Sequence, residues 1–167
     1  IKDFFKSINT KMIEDSLKKT FNLEIVPWRF LQVVTLNGNL PTGAPSSPVL
    51  SNIYCNELDL ELLKFSKENK LNYTRYADDL TFSTNEKIYK KKIIKLISQI
   101  VQKYKFEINT DKTKIYNKSY RQEVTGLVVN EKVNLTREFR YNLKALLHNW
   151  KKDGYIGAVK TFNNKYP

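Results

Sequence analysis

The chain has 167 residues, of which 41% are hydrophobic, and a net charge of +12 from 29 basic and 17 acidic side chains. That length gives one domain, or one with a small appendage, around a real core. With no apolar run of about 18 residues, no signal-peptide pattern and a single cysteine, Cys55, the composition excludes membrane-spanning and disulfide-framework classes and points to the reducing cytoplasm.

In chain order, residues 1 to 5 read as the end of a strand entering a turn. Residues 10 to 21 form a helix capped by Asn9 or Thr10, with Met12, Ile13, Leu17 and Phe21 on one side. Pro27 suits the first turn of a second helix carrying Trp28, Phe30, Leu31 and Val34. Two glycines and three prolines make 36 to 48 a shaped loop. A long helix from Ser47 to Asn69 comes after it. Its apolar face is Val49, Leu50, Ile53, Tyr54, Leu58, Leu62 and Phe65, with Cys55 as a core residue. Two strands, Leu71–Tyr76 and Leu80–Thr84, come next. Residues 86 to 104 form an amphipathic helix with Ile88, Ile93, Ile94, Leu96, Ile97, Ile100 and Val101 inward. Short strands fit near 105 to 109, 113 to 117, 122 to 130 and 132 to 135. A last helix starts near Arg137 and carries Leu143, Leu146, Leu147 and Trp150, and Gly154 and Gly157 loosen the C-terminal end of the chain.

Between the two central strands stands Tyr76-Ala77-Asp78-Asp79. Adjacent carboxylates repel one another, and a divalent oxygen-seeking ion such as Mg²⁺ relieves the repulsion. A solvated turn is the competing reading, since aspartate is common in turns. The basic excess suits a polyanionic partner, nucleic acid foremost, or a lysine-rich solvated surface. Thirteen percent aromatic residues add surfaces for packing or for stacking on bases. His148, the only histidine, has no visible partner and no assigned role.

Tyr76-Ala77-Asp78-Asp79 on a hairpin resembles the metal-binding turn of reverse transcriptases. Three further segments carry the resemblance. Ile1-Lys2-Asp3-Phe4-Phe5 is similar to the family's first motif, an aspartate followed after a short interval by aromatics. The alignment puts that aspartate one position before Ile1. Leu40-Pro41-Thr42-Gly43-Ala44-Pro45-Ser46-Ser47-Pro48 resembles the Leu-Pro-Gln-Gly-Ala-Pro-x-Ser-Pro loop of bacterial reverse transcriptases, with the shorter Thr42 in place of glutamine. From the residues alone it is a helix entrance capped by Ser46 or Ser47 with free amides able to meet phosphate or sugar. Asn109-Thr110-Asp111-Lys112-Thr113 and Val124-Thr125-Gly126 complete the set, and the last triplet resembles the retron type. On physics alone, Lys112 is equally a turn lysine and Gly126 equally a β-bulge.

The resemblance implies an α+β fold. It is a polymerase palm over residues 1–135, with a small antiparallel sheet carrying the carboxylates and helices covering it, then the beginning of a helical thumb over 136–167. The family's fingers, which precede the palm, have no counterpart in this sequence. The resemblance also implies RNA-directed DNA synthesis by two-metal nucleotidyl transfer. Asp78, Asp79 and the Ile1 carbonyl would hold two Mg²⁺ ions, and Lys112 would act on the pyrophosphate leaving group. Asp3, Phe4, Phe5, Thr42 and Gly43 would meet the nucleotide, Phe5 by blocking a ribose 2′-hydroxyl and Phe4 with its ring in the core. Pro45, Ser47, Pro48, Tyr76, Thr125, Gly126 and Leu127 would meet template and primer. The implied partners are a structured non-coding RNA template, the RNA–DNA product, deoxynucleoside triphosphates and an effector protein in anti-phage defence. A group II intron-like or other defence-associated enzyme, or an inactive nucleic-acid-binding palm, would share part of the pattern. The segment from Ile1 onward is expected to be inactive alone, because the first aspartate lies outside it.

Overall fold

The computed structural model describes residues 1–87 and 89–165, for 161–165 the backbone only. The chain separates into two compact units, Ile1–Thr113 and Lys114–Pro167.

The first unit is built on one long helix. Helix α1 spans Thr10–Phe21, α2 Trp28–Val34, α3 Ser47–Glu68 and α4 Lys90–Lys103, with strands β1 (Asn72–Tyr76) and β2 (Asp79–Ser83) between α3 and α4. Helix α3 packs on α1, α4 and β1. Helix α1 starts where Asn9, in extended backbone, accepts the Met12 amide on its side chain at 3.0 Å while Met12 sulfur faces the Asn9 amide. Two orphan donors of the first turn are thereby satisfied. Ile13 and Leu17 are its buried residues, and Phe21 is exposed.

The buried stripe of α3 includes the expected Leu50, Cys55, Leu58 and Leu62 but departs from expectation in its small residues and at Val49. Ser47, Ser51, Cys55, Leu58, Leu62 and Ser66 lie within 2% of complete burial, whereas Val49 is exposed. Small residues four apart let neighbouring backbones approach closely. Ser47 and Ser51 keep their hydroxyls satisfied by donating to the carbonyls of Pro41 and Pro48. Each fully buried leucine contributes roughly 1.5–3 kcal/mol. Burial also pushes the Cys55 thiol up to about 12, so it stays protonated and unreactive.

Strands β1 and β2 form an antiparallel hairpin in which Tyr76 pairs with Asp79 and Tyr73 with Phe82. Asp79 thus belongs to the ladder, one residue before the expected strand start. Helix α4 begins at Lys90, later than expected, and buries Ile97 and Val101. Ile88, assigned to its apolar face from sequence, lies outside the described residues.

Three expected strands are absent. Residues 1 to 5 are irregular and enter a single 3₁₀ turn, Phe5–Ser7. Asp3 has φ +45°, a left-handed value that breaks an extended run. Its neighbour Lys2 makes one ladder-like bond, to the Glu107 carbonyl at 2.8 Å. Residues 105 to 109 and 113 to 117 are likewise without strand structure. Lys105 has φ +59°, and the Asn109 side chain accepts the amides of Asp111 and Lys112, curling the chain into a turn. Phe106 is still buried, stacked on Phe4 with ring centroids 5.3 Å apart.

The second unit holds a three-stranded antiparallel sheet, β3 (Glu123–Val124), β4 (Leu127–Val128) and β5 (Asn134–Leu135), followed by α5 (Arg137–Lys165). The single strand expected over 122 to 130 is therefore a hairpin. Thr125 at φ +47° and Gly126 at φ +80° are its two central turn residues, the positive pair a tight hairpin favours. Helix α5 is interrupted at Gly154, whose φ of 72° and ψ of 174° are not helical. Among the described residues no helix is long and apolar enough to cross a membrane.

Candidate functional site

The hairpin register makes Ala77 and Asp78 a two-residue turn. Ala77 has φ +50°, whereas Asp78 has no positive φ. That sequence of angles is the one that normally selects glycine first, so alanine here carries backbone strain of about 1 kcal/mol or more. Asp78 is half-buried at the tip and Asp79 is exposed at the start of β2. No hydrogen bond or ion pair among the described residues engages either carboxylate. Both acids present free oxygens, the donor type a hard divalent cation takes. Among the described residues no group of three or more metal-ligating side chains gathers.

The chain start lies against this turn. The Ile1 nitrogen donates to the Asp78 carbonyl at 2.7 Å. Asp78, Asp79 and Lys112 all lie within electrostatic reach of that nitrogen. Lys112 rides on the Asn109 turn, exposed, with no ion pair among the described residues.

The remaining candidates fall in three places. Asp3 is exposed and Phe5 half-buried; Phe4 is a core ring, so a contact with nucleotide would fall to its backbone. Thr42, Gly43, Pro45 and Pro48 are exposed around the entrance to α3, and Gly43 has φ +89°. Ser47 is fully buried, its hydroxyl held 2.6 Å from the Pro41 carbonyl, which withdraws that side chain from a template. No hydrogen bond among the described residues joins this loop to the two carboxylates. Tyr76 is exposed beside the turn. Thr125, Gly126 and Leu127 lie at the β3–β4 turn of the second unit.

Beneath the turn is a network that the motifs do not name. Arg75 donates Nε and Nη2 to the two oxygens of Asp59, at 2.8 and 2.6 Å. Its Nη1 donates to Asn52 Oδ1 at 3.1 Å and to the Ala77 carbonyl at 3.2 Å. Tyr73 donates its hydroxyl to Asp59 at 2.7 Å. The Asp59 bond raises the Arg75 pKa, and burial followed by Asp59 raises that of Tyr73. The sequence carries only the two halves of the network, with nothing that pairs them. Tyr73 and Arg75 share a strand face, and Asn52 and Asp59 lie two helical turns apart.

The sequence pattern of the family described as "Reverse transcriptase (RNA-dependent DNA polymerase)" matches residues 1–141. "Retron Mx65 reverse transcriptase" of Myxococcus xanthus is 36% identical over 132 residues, covering 72% of this chain and 31% of the relative. "Retron Mx162 reverse transcriptase" of the same organism is 34% identical over 186 residues, covering 91% and 38%. "Retron Ec86 reverse transcriptase" of Escherichia coli is 32% identical over 152 residues, covering 89% and 47%. The chain thus spans about a third to a half of the length of these curated relatives.

Proposed function

The chain belongs to the reverse transcriptase family, and from that premise we propose that it forms the catalytic palm of a retron-type RNA-directed DNA polymerase. The observation that carries the reading is the pair of unpartnered carboxylates, Asp78 and Asp79, on a strained hairpin tip with Ile1 and Lys112 alongside. On this reading residues 1–135 serve as palm and 136–167 begin the thumb. The names of the relatives favour the retron class over group II intron-like enzymes and over a palm without activity.

Asp78, Asp79 and the Ile1 carbonyl would hold Mg²⁺. When bound, the ions supply charge stabilisation for the attacking and leaving oxygens of nucleotidyl transfer. A residue joined to the Ile1 nitrogen would sit beside Asp78, where a further carboxylate would complete the donor set. Asp78 and Asp79 fix negative charge at the reaction centre. Lys112 offers a cation to the pyrophosphate as it departs. The amides that follow Asp3 are suited to hold the triphosphate. The half-buried Phe5 ring would exclude a 2′-hydroxyl, so that deoxynucleotides are selected. The exposed loop around Thr42 and Gly43 would meet nucleotide sugar and template, and the Gly126 turn would lie beside the primer end. Further partners on this reading are a structured non-coding RNA, whose own 2′-hydroxyl would prime synthesis in the cytoplasm, and an effector protein in anti-phage defence.

Primer extension by the full protein tests the proposal. Deoxynucleotides should be added on an RNA template with Mg²⁺, and ribonucleotides should not. Template-independent addition, or no addition on any RNA, would sink it. Lys112→Ala should lower kcat about 100-fold, the low end of the loss expected for one charge-stabilising donor because this lysine is exposed. An unchanged single-turnover rate would remove Lys112 from the reaction.

A further inference from the structure

The Asp78–Asp79 turn is held in an unfavourable backbone state by something outside itself. Ala77 adopts φ +50° without being glycine. Such conformations persist only where surrounding structure over-determines them. The one side chain described as bonding the Ala77 carbonyl is Arg75, at 3.2 Å. That carbonyl belongs to the peptide leading into Asp78, so its orientation fixes the plane from which Asp78 departs.

Arg75 is itself held on several sides. Its side chain is 7% exposed. Two of its nitrogens grip Asp59 in a bidentate fork, and the third reaches Asn52 and Ala77. Asp59 and Asn52 belong to α3, whose neighbouring residues Ser51, Cys55, Leu58 and Leu62 are buried. A planar guanidinium can hold a carboxylate on one edge and a carbonyl on another in a fixed relation; an ammonium cannot.

We propose that Arg75 is a positioning residue, braced by Asp59 on α3, that fixes the Ala77–Asp78 peptide and thereby aims the Asp78 carboxylate. The inference rests on the reading of Asp78 as a metal-binding residue. A simpler role would be to dock β1 onto α3, and Tyr73 separates the two roles. Its hydroxyl also binds Asp59, but among the described residues no hydrogen bond joins it to Ala77.

The test uses the full protein with an RNA template and primer. Arg75→Lys, which loses the fork, should lower kcat at least about tenfold while the KM for deoxynucleotide stays within about twofold. Mn²⁺ binding followed by electron paramagnetic resonance should weaken several-fold. Tyr73→Phe should lower the melting temperature yet leave kcat and Mn²⁺ binding within about twofold. Ala77→Gly tolerates positive φ unaided, so the Arg75→Lys loss should shrink in the Ala77→Gly background, a coupling that docking alone does not give. If Arg75→Lys does not fold, Asp59→Asn, similar in shape but unable to accept the fork, should show the same kcat loss.

Equal kcat losses for Arg75→Lys and Tyr73→Phe, or an additive double variant, would overturn the inference. An Asp78→Asn protein that still extends primers would instead sink the reading beneath it. Loss of extension in Asp78→Asn with Arg75→Lys unaffected would leave that reading intact and remove Arg75 alone.

Discussion

Asp78→Asn in the full protein abolishes RNA-templated DNA extension, lowering kcat at least about 10³-fold, and leaves its stability unchanged. The size comes from losing one fixed negative charge at a centre where several kcal/mol of transition-state stabilisation depends on it, each 1.36 kcal/mol being tenfold in rate. Stability holds because no described hydrogen bond or ion pair ends on the Asp78 carboxylate. The group that is bonded is its backbone carbonyl, which the substitution keeps. Asparagine also removes repulsion from Asp79. Asp79→Asn should cost less, since Asp79 is exposed and lies in the ladder rather than at the tip. Single-turnover extension beside a thermal melt checks both. Undiminished extension by Asp78→Asn would exclude the carboxylate from the chemistry, and a larger loss for Asp79→Asn would exchange their roles.

The two acids are legible in the sequence because they are adjacent and bracketed by strand-like runs. The helices are legible from apolar spacing, with errors that have physical causes. Counting large apolar residues puts Val49 inside, yet the buried side of α3 runs through Ser47, Ser51 and Cys55, where small size counts for more than hydropathy. The apolar residues Phe106 and Ile108 suggest a strand near 105 to 109. A strand needs a paired neighbour, and this segment makes one backbone bond to Lys2 between the left-handed Lys105 and the Asn109 turn. The Val124-Thr125-Gly126 triplet stands out in the sequence, but its hairpin needs Thr125 to accept a positive φ, which threonine seldom does.

The Asp59–Arg75 pair is illegible for another reason. Its members are sixteen residues apart, on a helix and a strand, and neither belongs to a recognisable motif. Only the packing of β1 on α3 brings them together. A motif names groups that meet a ligand; the groups that hold those in place are set by tertiary packing and leave little local trace.

Asp59→Ala should therefore lower the stability of the first unit by about 3 kcal/mol, the low end for breaking a buried ion pair. The low end applies because Asp59 keeps 26% of its side chain in solvent, while Arg75, at 7%, would be left charged and without its strongest partner. The Tyr73 hydroxyl would lose its acceptor as well. Replacing both members by apolar residues, Asp59→Leu with Arg75→Met, removes the stranded charge and should recover most of that loss, since a packed apolar pair is often as stable as a buried ion pair. It should not recover extension, because nothing then holds the Ala77 carbonyl. Urea unfolding and primer extension on the single and double variants separate the two quantities. Stability and kcat recovering together would mean that the pair serves only the fold; stability returning without kcat would show that the turn, and not the fold, is what the pair maintains.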